Sequence, residues 1–285
     1  MNAARPVLSV LDLVPASAGR TRADALREMV DLARAADDAG YARYWLAEHH
    51  GSTTYLASAT TILMGQVLAA TGRIGVASGG IMLPNHAPLA IAEQVGTLAT
   101  LYPGRVGLGL GRAPRTDRMT AAALRRRGAD PAHFADEVLE TLAYLGAIPD
   151  HVLAAVQGPL LPVPGGAGAG PAPPGSVRHV RAIPGEGTDP AAWILGSSVN
   201  GARVAGTLGL PFAVASHFAP AQAEAAITTY RGHFGDDGAA RPLSRDGRPH
   251  VAAGVNVVVA PRQDEAERLF TTAMAAAARI VGGRP

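Results

Sequence analysis

The chain has 285 residues, of which 48% are apolar and 17% charged, with a formal net charge of +2. These proportions exclude a disordered polyelectrolyte and leave enough apolar side chain to fill one large α/β domain or two smaller ones. All 25 cationic residues are Arg, and the densest run, Arg125-Arg126-Arg127, lacks interleaved aromatics, so it reads as a solvated helix face rather than a nucleic-acid surface.

Short apolar runs then alternate with helical patterns. "VLSVLDL" (7–13) reads as a buried strand, and "TRADALREMVDLARAADDAG" (21–40) as an amphipathic helix with Thr21 as N-cap, Asp24 three residues on, and Gly40 as its stop. Strand "ARYWLAEH" (42–49) precedes helix "LASATTILMGQVLAAT" (56–71), and "RIGVASGG" (73–80) precedes a helix from Pro88 to about Thr100. "RVGLGLGR" (105–112) is followed, after a polar loop, by a helix from about Pro131 to Leu145. "GPLLPVPGGAGAGPAPPGS" (158–176) is too rich in Gly and Pro for regular structure and reads as an insertion, either an inert loop or a lid. "AWILG" (192–196) leads to a helix from Asn200, "FAVASHF" (212–218) to one from Pro220, and "HVAAGVNVVVA" (250–260) to one from Gln263.

The predicted pattern is seven strand–helix units with continuously apolar strands, as a parallel sheet covered by helices requires. "GLGLGR" (107–112) is a poor dinucleotide fingerprint, because Pro114 stands where a helix should open and no spaced acidic ribose partner follows. A (β/α)8 TIM-type barrel is therefore favoured over a doubly wound sheet. Its sites gather at strand C-terminal ends, and Asp12, Glu48-His49-His50, Ser78, Arg112, Ser197-Ser198 and His217 all fall there.

Three of these clusters point to chemistry. Neighbouring strand residues face opposite ways, so His49 and His50 are poorly placed to chelate one ion, and no metal site is expected. The alternatives are a satisfied structural pair, or one imidazole facing the barrel mouth as a proton or hydrogen-bond donor with Glu48 orienting it. Gly79 and Gly80, after Ser78, form either a simple turn or a bare-backbone surface for a flat ligand. Ser197 and Ser198 precede a helix and read as a cap or an anion site, the latter favoured once Arg112 joins them.

The blocks "RYWLAEHHG" (43–51), "RIGVASGGIMLPNHAPLAIAEQVGTLATLYPGRVGLGLGRAP" (73–114), "AWILGSS" (192–198) and "GLPFAVASHFAP" (209–220) resemble, in order, those of the luciferase-like flavin-dependent monooxygenases. The resemblance is to the short members often found in antibiotic pathways. It implies one barrel domain over 1–285, a homodimer through the helices after the second and third strands, and O2 as co-substrate. It also implies reduced FMN from a separate flavin reductase, reacting through a C4a-hydroperoxyflavin to oxygenate a small organic substrate. By position, His49 matches the family's catalytic histidine near the flavin adduct, with Glu48 beside it. Ser78, Gly79 and Gly80 match the strand-end bulge, often with a cis peptide, that backs the flavin ring. Arg112, Ser197 and Ser198 match the phosphate contacts, and His217 borders the substrate cavity. A deazaflavin (F420)-dependent dehydrogenase, or a non-catalytic flavin-binding protein, is the alternative.

Two departures accompany the resemblance. Arg115 stands where the family usually has Gly, and the chain stops at "VGGRP", before the eighth unit that relatives carry. An open barrel edge with exposed apolar surface is therefore expected. Absent cysteine, no basic-then-apolar leader and no apolar run of about 20 residues fit a cytoplasmic protein without membrane or nucleic-acid partners.

Overall fold

A computed structural model describes residues 6–112, 117–124, 131–148, 180–235, 243–244 and 246–281. The 158–176 insertion, Arg115 and the Arg125–Arg127 run lie outside the described residues. The elements in chain order are β1 (Ser9–Asp12), α1 (Arg22–Asp38), β2 (Arg43–Leu46), α2 (Thr60–Ala70), β3 (Gly75–Ser78), β4 (Ile81–Met82), α3 (Pro88–Leu101) and β5 (Val106–Gly111). They continue with α4 (Arg118–Ala123), α5 (Phe134–Tyr144), β6 (Ala191–Gly196), α6 (Val199–Thr207), β7 (Phe212–Val214), α7 (Pro220–Gly232), β8 (Val251–Ala253) and α8 (Gln263–Val281).

Local chemistry sets several boundaries where the sequence placed them. Thr21 caps α1: its Oγ1 accepts from the Asp24 N–H while the Asp24 carboxylate accepts from the Thr21 N–H, and Gly40 takes positive φ just past the helix. α2 begins at Thr60 rather than Leu56. Residues before it are held in extended backbone, with Leu56 N–H donating to Val14 O and Pro15 bridging Tyr55.

Every strand pairing is parallel, in the order β1-β2-β3-β5-β6-β7-β8, with the two-residue β4 paired to β5. The sheet curls as a barrel wall but does not close, since among the described residues β1 and β8 are unpaired on their outer edges. Among the described residues this is a (β/α)8-type half-barrel with seven strands along its path and β4 a short extra beside β5. The last predicted strand shrinks from 250–260 to Val251–Ala253, because β7 stops at Val214, opposite Ala253, and no further neighbour follows. Val255, Val257 and Val259, at 76%, 73% and 86% exposure, show the apolar edge that a missing eighth unit predicts.

Two cores result. Between sheet and helices, Tyr44, Leu46, Leu108, Leu110 and Phe212 are buried with Met64, Leu68, Ile91 and Phe134, each contributing roughly 1.5–3 kcal/mol on burial. Inside the curl, β5 presents only glycines. A Cβ on Gly109 would lie 2.1 Å from the Ser78 carbonyl and 3.2 Å from the Trp45 ring, so glycine there is what lets indoles fill the barrel. Trp45 and Trp193 meet edge to face at 5.5 Å, with the Arg43 guanidinium 5.8 Å and 5.4 Å from their centroids. "GLGLGR" is thus a barrel strand and its exit, not a phosphate loop.

Candidate active site

Because all strands run parallel, their C-terminal ends share one rim. Register puts Asp12, Leu46 and Ser78 on one level across β1, β2 and β3. Asp12 is a structural residue, its carboxylate accepting from the Val14 N–H at 2.7 Å and from the Tyr44 hydroxyl. Burial, with the Asp12 charge added to it, pushes the Tyr44 phenol far above its ordinary pKa and keeps it a donor.

Ser78 is fully buried, and its hydroxyl both donates to Gly109 O and accepts from Gly109 N–H, each at 2.8 Å. That side chain locks β3 to β5, and its own hydrogen-bonding capacity is taken up in doing so. The next peptide, Gly79–Gly80, is cis. A Cβ on Gly79 would sit 2.9 Å from Leu11 Cδ1 and Trp45 Cβ, and one on Gly80 2.9 Å from Gly109 O. Side chains are sterically excluded here, leaving bare backbone at the rim.

Arg112, Ser197 and Ser198 come together through register. Gly111 pairs with Leu195, so Arg112 leaves β5 beside the point where β6 runs through Gly196 into the two serines. All three are half-buried. Ser198 is the N-cap of α6, with φ −131° and ψ 157° and its Oγ accepting from Gly201 N–H at 3.5 Å. The ends of β5 and β6 thus carry, in adjacent register, a guanidinium, two hydroxyls and the N-terminus of a nine-residue helix, donor types of the kind a phosphate dianion takes.

The "EHH" segment splits in two. His49 packs its ring 5.2 Å from Tyr55, and its N–H donates to Ala57 O at 2.7 Å. Glu48, 3% exposed, is held by His50 Nε2 at 3.0 Å and by His86 Nε2 at 2.9 Å from both carboxylate oxygens. His86 lies within the quoted "LPNHAP", but sequence reasoning missed it, because only folding brings the β4–α3 connection back to the end of β2. The available signal was a second histidine one crossover after the first. His217 follows β7 and packs against the β8 exit, where a Cβ on Gly254 would collide with its ring. It faces the open side of the barrel, away from the other candidates in strand order.

A family model described as luciferase-like monooxygenase matches residues 8–282. The uncharacterized protein YvbT of Bacillus subtilis (strain 168) is 44% identical over 280 residues, spanning 98% of this chain and 74% of that protein. The crystal structure of apo-MsnO8 superposes with a TM-score of 0.78 at 33% identity, covering 97% of this chain and 73% of that one. At 17% identity, where only fold is shared, stand two further structures. One is the oxygenating constituent of 3,6-diketocamphane monooxygenase from Pseudomonas putida in complex with FMN (TM-score 0.66, covering 92% and 70%). The other is an F420-dependent secondary alcohol dehydrogenase (TM-score 0.59, covering 92% and 72%). Among the described residues, no helix is long and apolar enough to cross a membrane.

Proposed function

The chain belongs to the luciferase-like monooxygenase family, and from that premise we propose that it uses reduced FMN and O2 to oxygenate a small organic substrate. The observation carrying this reading is the Arg112–Ser197–Ser198 corner at the α6 N-terminus, whose donors suit the FMN phosphate. Arg112, Ser197 and Ser198 would hold reduced FMN by its phosphate; when bound, it would supply the electrons that activate O2, with a separate flavin reductase as its source. The remaining contributions come from the chain. The Gly79–Gly80 peptide offers a flat surface against one face of the ring, and Ser78 fixes that peptide by tying β3 to β5. His49, its ring beside Tyr55 and its backbone N–H donating to Ala57 O, would be the group to donate a hydrogen bond or proton to the bound oxygen. Trp45 and Trp193 close the barrel floor and keep water away. His217 borders the substrate space from the β7 side.

The test compares two ligands. Each charge-assisted hydrogen bond is worth about 1.5–3 kcal/mol, so Arg112→Ala is expected to weaken FMN roughly ten- to hundredfold. Riboflavin lacks the phosphate, and its already weaker binding is expected to stay within a few-fold. Fluorescence titration of both flavins against both proteins cancels any general loss of stability. Equal losses for the two flavins would place Arg112 in support of the fold or the ring instead. A chain that binds F420 and transfers hydride without taking up O2 would replace the monooxygenase reading with the dehydrogenase one.

A further inference from the structure

Beyond the end of β2 three ligand-type side chains converge, and the Glu48 carboxylate expected to orient His49 is bonded to His50 and His86. The donor atoms of Glu48, His50 and His86 all lie within 4.8 Å of one another, and theirs is the one such cluster among the described residues. Glu48 Oε1 stands 3.0 Å from His50 Nε2 and 2.9 Å from His86 Nε2, while Asn85 Nδ2 donates to the same oxygen at 3.4 Å. The Glu48 side chain is 1% exposed, but those of His50 and His86 are 17% and 25% exposed. Both rings line a cleft of about 570 Å³ that also takes in Ser58, Thr61 and Gln94. A buried carboxylate has about four acceptor sites to fill, and those of Glu48 draw ligand-type nitrogens rather than backbone N–H groups. Here two imidazoles from separate segments aim the same nitrogen at it.

We propose that Glu48, His50 and His86 form a binding site for a divalent first-row cation such as Zn2+. Two imidazole nitrogens and one carboxylate oxygen are ligands this class of ion accepts. Bonds of about 2.0–2.2 Å in a tetrahedron separate ligand atoms by roughly 3.4 Å, so the two Glu48–His contacts need open by only a few tenths of an ångström. The fourth position faces the cleft and takes water. Asn85, bonded to the carboxylate, orients it as outer-shell groups do. The sequence argument against chelation by His49 and His50 concerned neighbours on one strand. The cluster avoids it by pairing residues 48 and 50, two apart, with a third ligand from the β4–α3 connection. An ion here would pin the end of β2, and the backbone of His49 with it, to the connection that begins α3. The inference stands apart from the flavin reading, and its test uses no flavin.

The experiment is calorimetric titration of the metal-free full chain with Zn2+, repeated with Co2+ so that visible absorption reports the coordination geometry. About one ion per chain is expected. Outer-shell changes typically cost 10–100-fold in metal affinity, so Asn85→Ala should weaken binding about tenfold, and loss of a direct ligand in His86→Ala or Glu48→Gln by roughly 100-fold or more. His250→Ala, in an exposed pair with Asp246 elsewhere, should bind as the wild type does. Circular dichroism checks the fold of each variant. If His86→Ala unfolds, His86→Gln keeps bulk and a hydrogen bond without a strong metal donor, and should show the same loss. A wild-type chain with no saturable binding, or an unfailing ion in both His86→Gln and Glu48→Gln, would overturn the assignment.

Discussion

Asp37 shows how much one side chain at the end of a helix can hold. It closes α1, and its carboxylate accepts from the N–H groups of Gly72 at 2.7 Å, Ile74 at 2.8 Å and Arg73 at 3.2 Å, tying that helix to the start of β3. Burial pushes this carboxyl up, but the three N–H groups and the Arg73 cation outweigh it, and the net displacement is below the ordinary carboxylate value. A group depressed in the folded state contributes stability above its unfolded pKa of about 3.9 and loses it as pH falls through the folded value. Asp37→Asn is therefore expected to cost about 2 kcal/mol at pH 7, with the gap from wild type narrowing as the solution is acidified below pH 4. Urea denaturation at several pH values measures this, and a gap independent of pH would show that charge is not what Asp37 contributes. Its role was invisible in the sequence, where Asp37 simply falls within the amphipathic pattern that ends at Gly40. Thr21 and Asp24 were legible because a cap is a local event. Asp37, like His86, acts across a crossover of more than thirty residues, and linear spacing carries no trace of such a partner.

At the scale of elements, apolar runs with turn residues between them marked nearly every strand and helix, and what they could not mark was length. Strand ends depend on neighbours, which is why β8 stops early and why the two-residue β4 escaped notice. α4 also went unread, a six-residue helix capped by Asp117, whose carboxylate accepts from Met119 and Thr120 N–H at 2.8 and 3.0 Å. α2 is apolar along most of its length, with Thr60, Thr61 and Gln66 as its polar side chains. Ile62 is 66% exposed there, and Leu101 at the end of α3 is 64% exposed, while Thr61 Oγ1 donates to Gln94 at 2.7 Å and braces the two helices together. A second copy packed over α2 and α3 is the cover proposed for that face. Sedimentation of the wild type at micromolar concentration should give a dimer, and Ile62→Glu, which sets a charge into the contact, should give a monomer with unchanged circular dichroism. A wild-type monomer would dispose of the proposed interface.

For the molecule as a whole, the order of units and the barrel-type architecture were legible, because parallel strands and their crossovers leave a repeating signature. The expected grouping of Arg112 with Ser197 and Ser198 rests on the same logic, since a barrel brings consecutive strand ends side by side. The open seam has a consequence of its own. β1 and β8 are edges of opposite hand: Val7 and Leu8 lead into one at 80% and 58% exposure, and Val255, Val257 and Val259 follow the other. An edge that accepts a parallel strand on one side of the seam matches the edge of a different molecule on the other side, so contact between copies is head to tail rather than face to face. A face-to-face pair is complete at two. A head-to-tail row always presents a fresh end, and growth has no natural stopping number. Light scattering well above micromolar concentration should thus rise past the mass of the α2-mediated dimer without levelling, and Val257→Lys, which puts a charge on the growing edge, should flatten that rise while leaving the dimer intact.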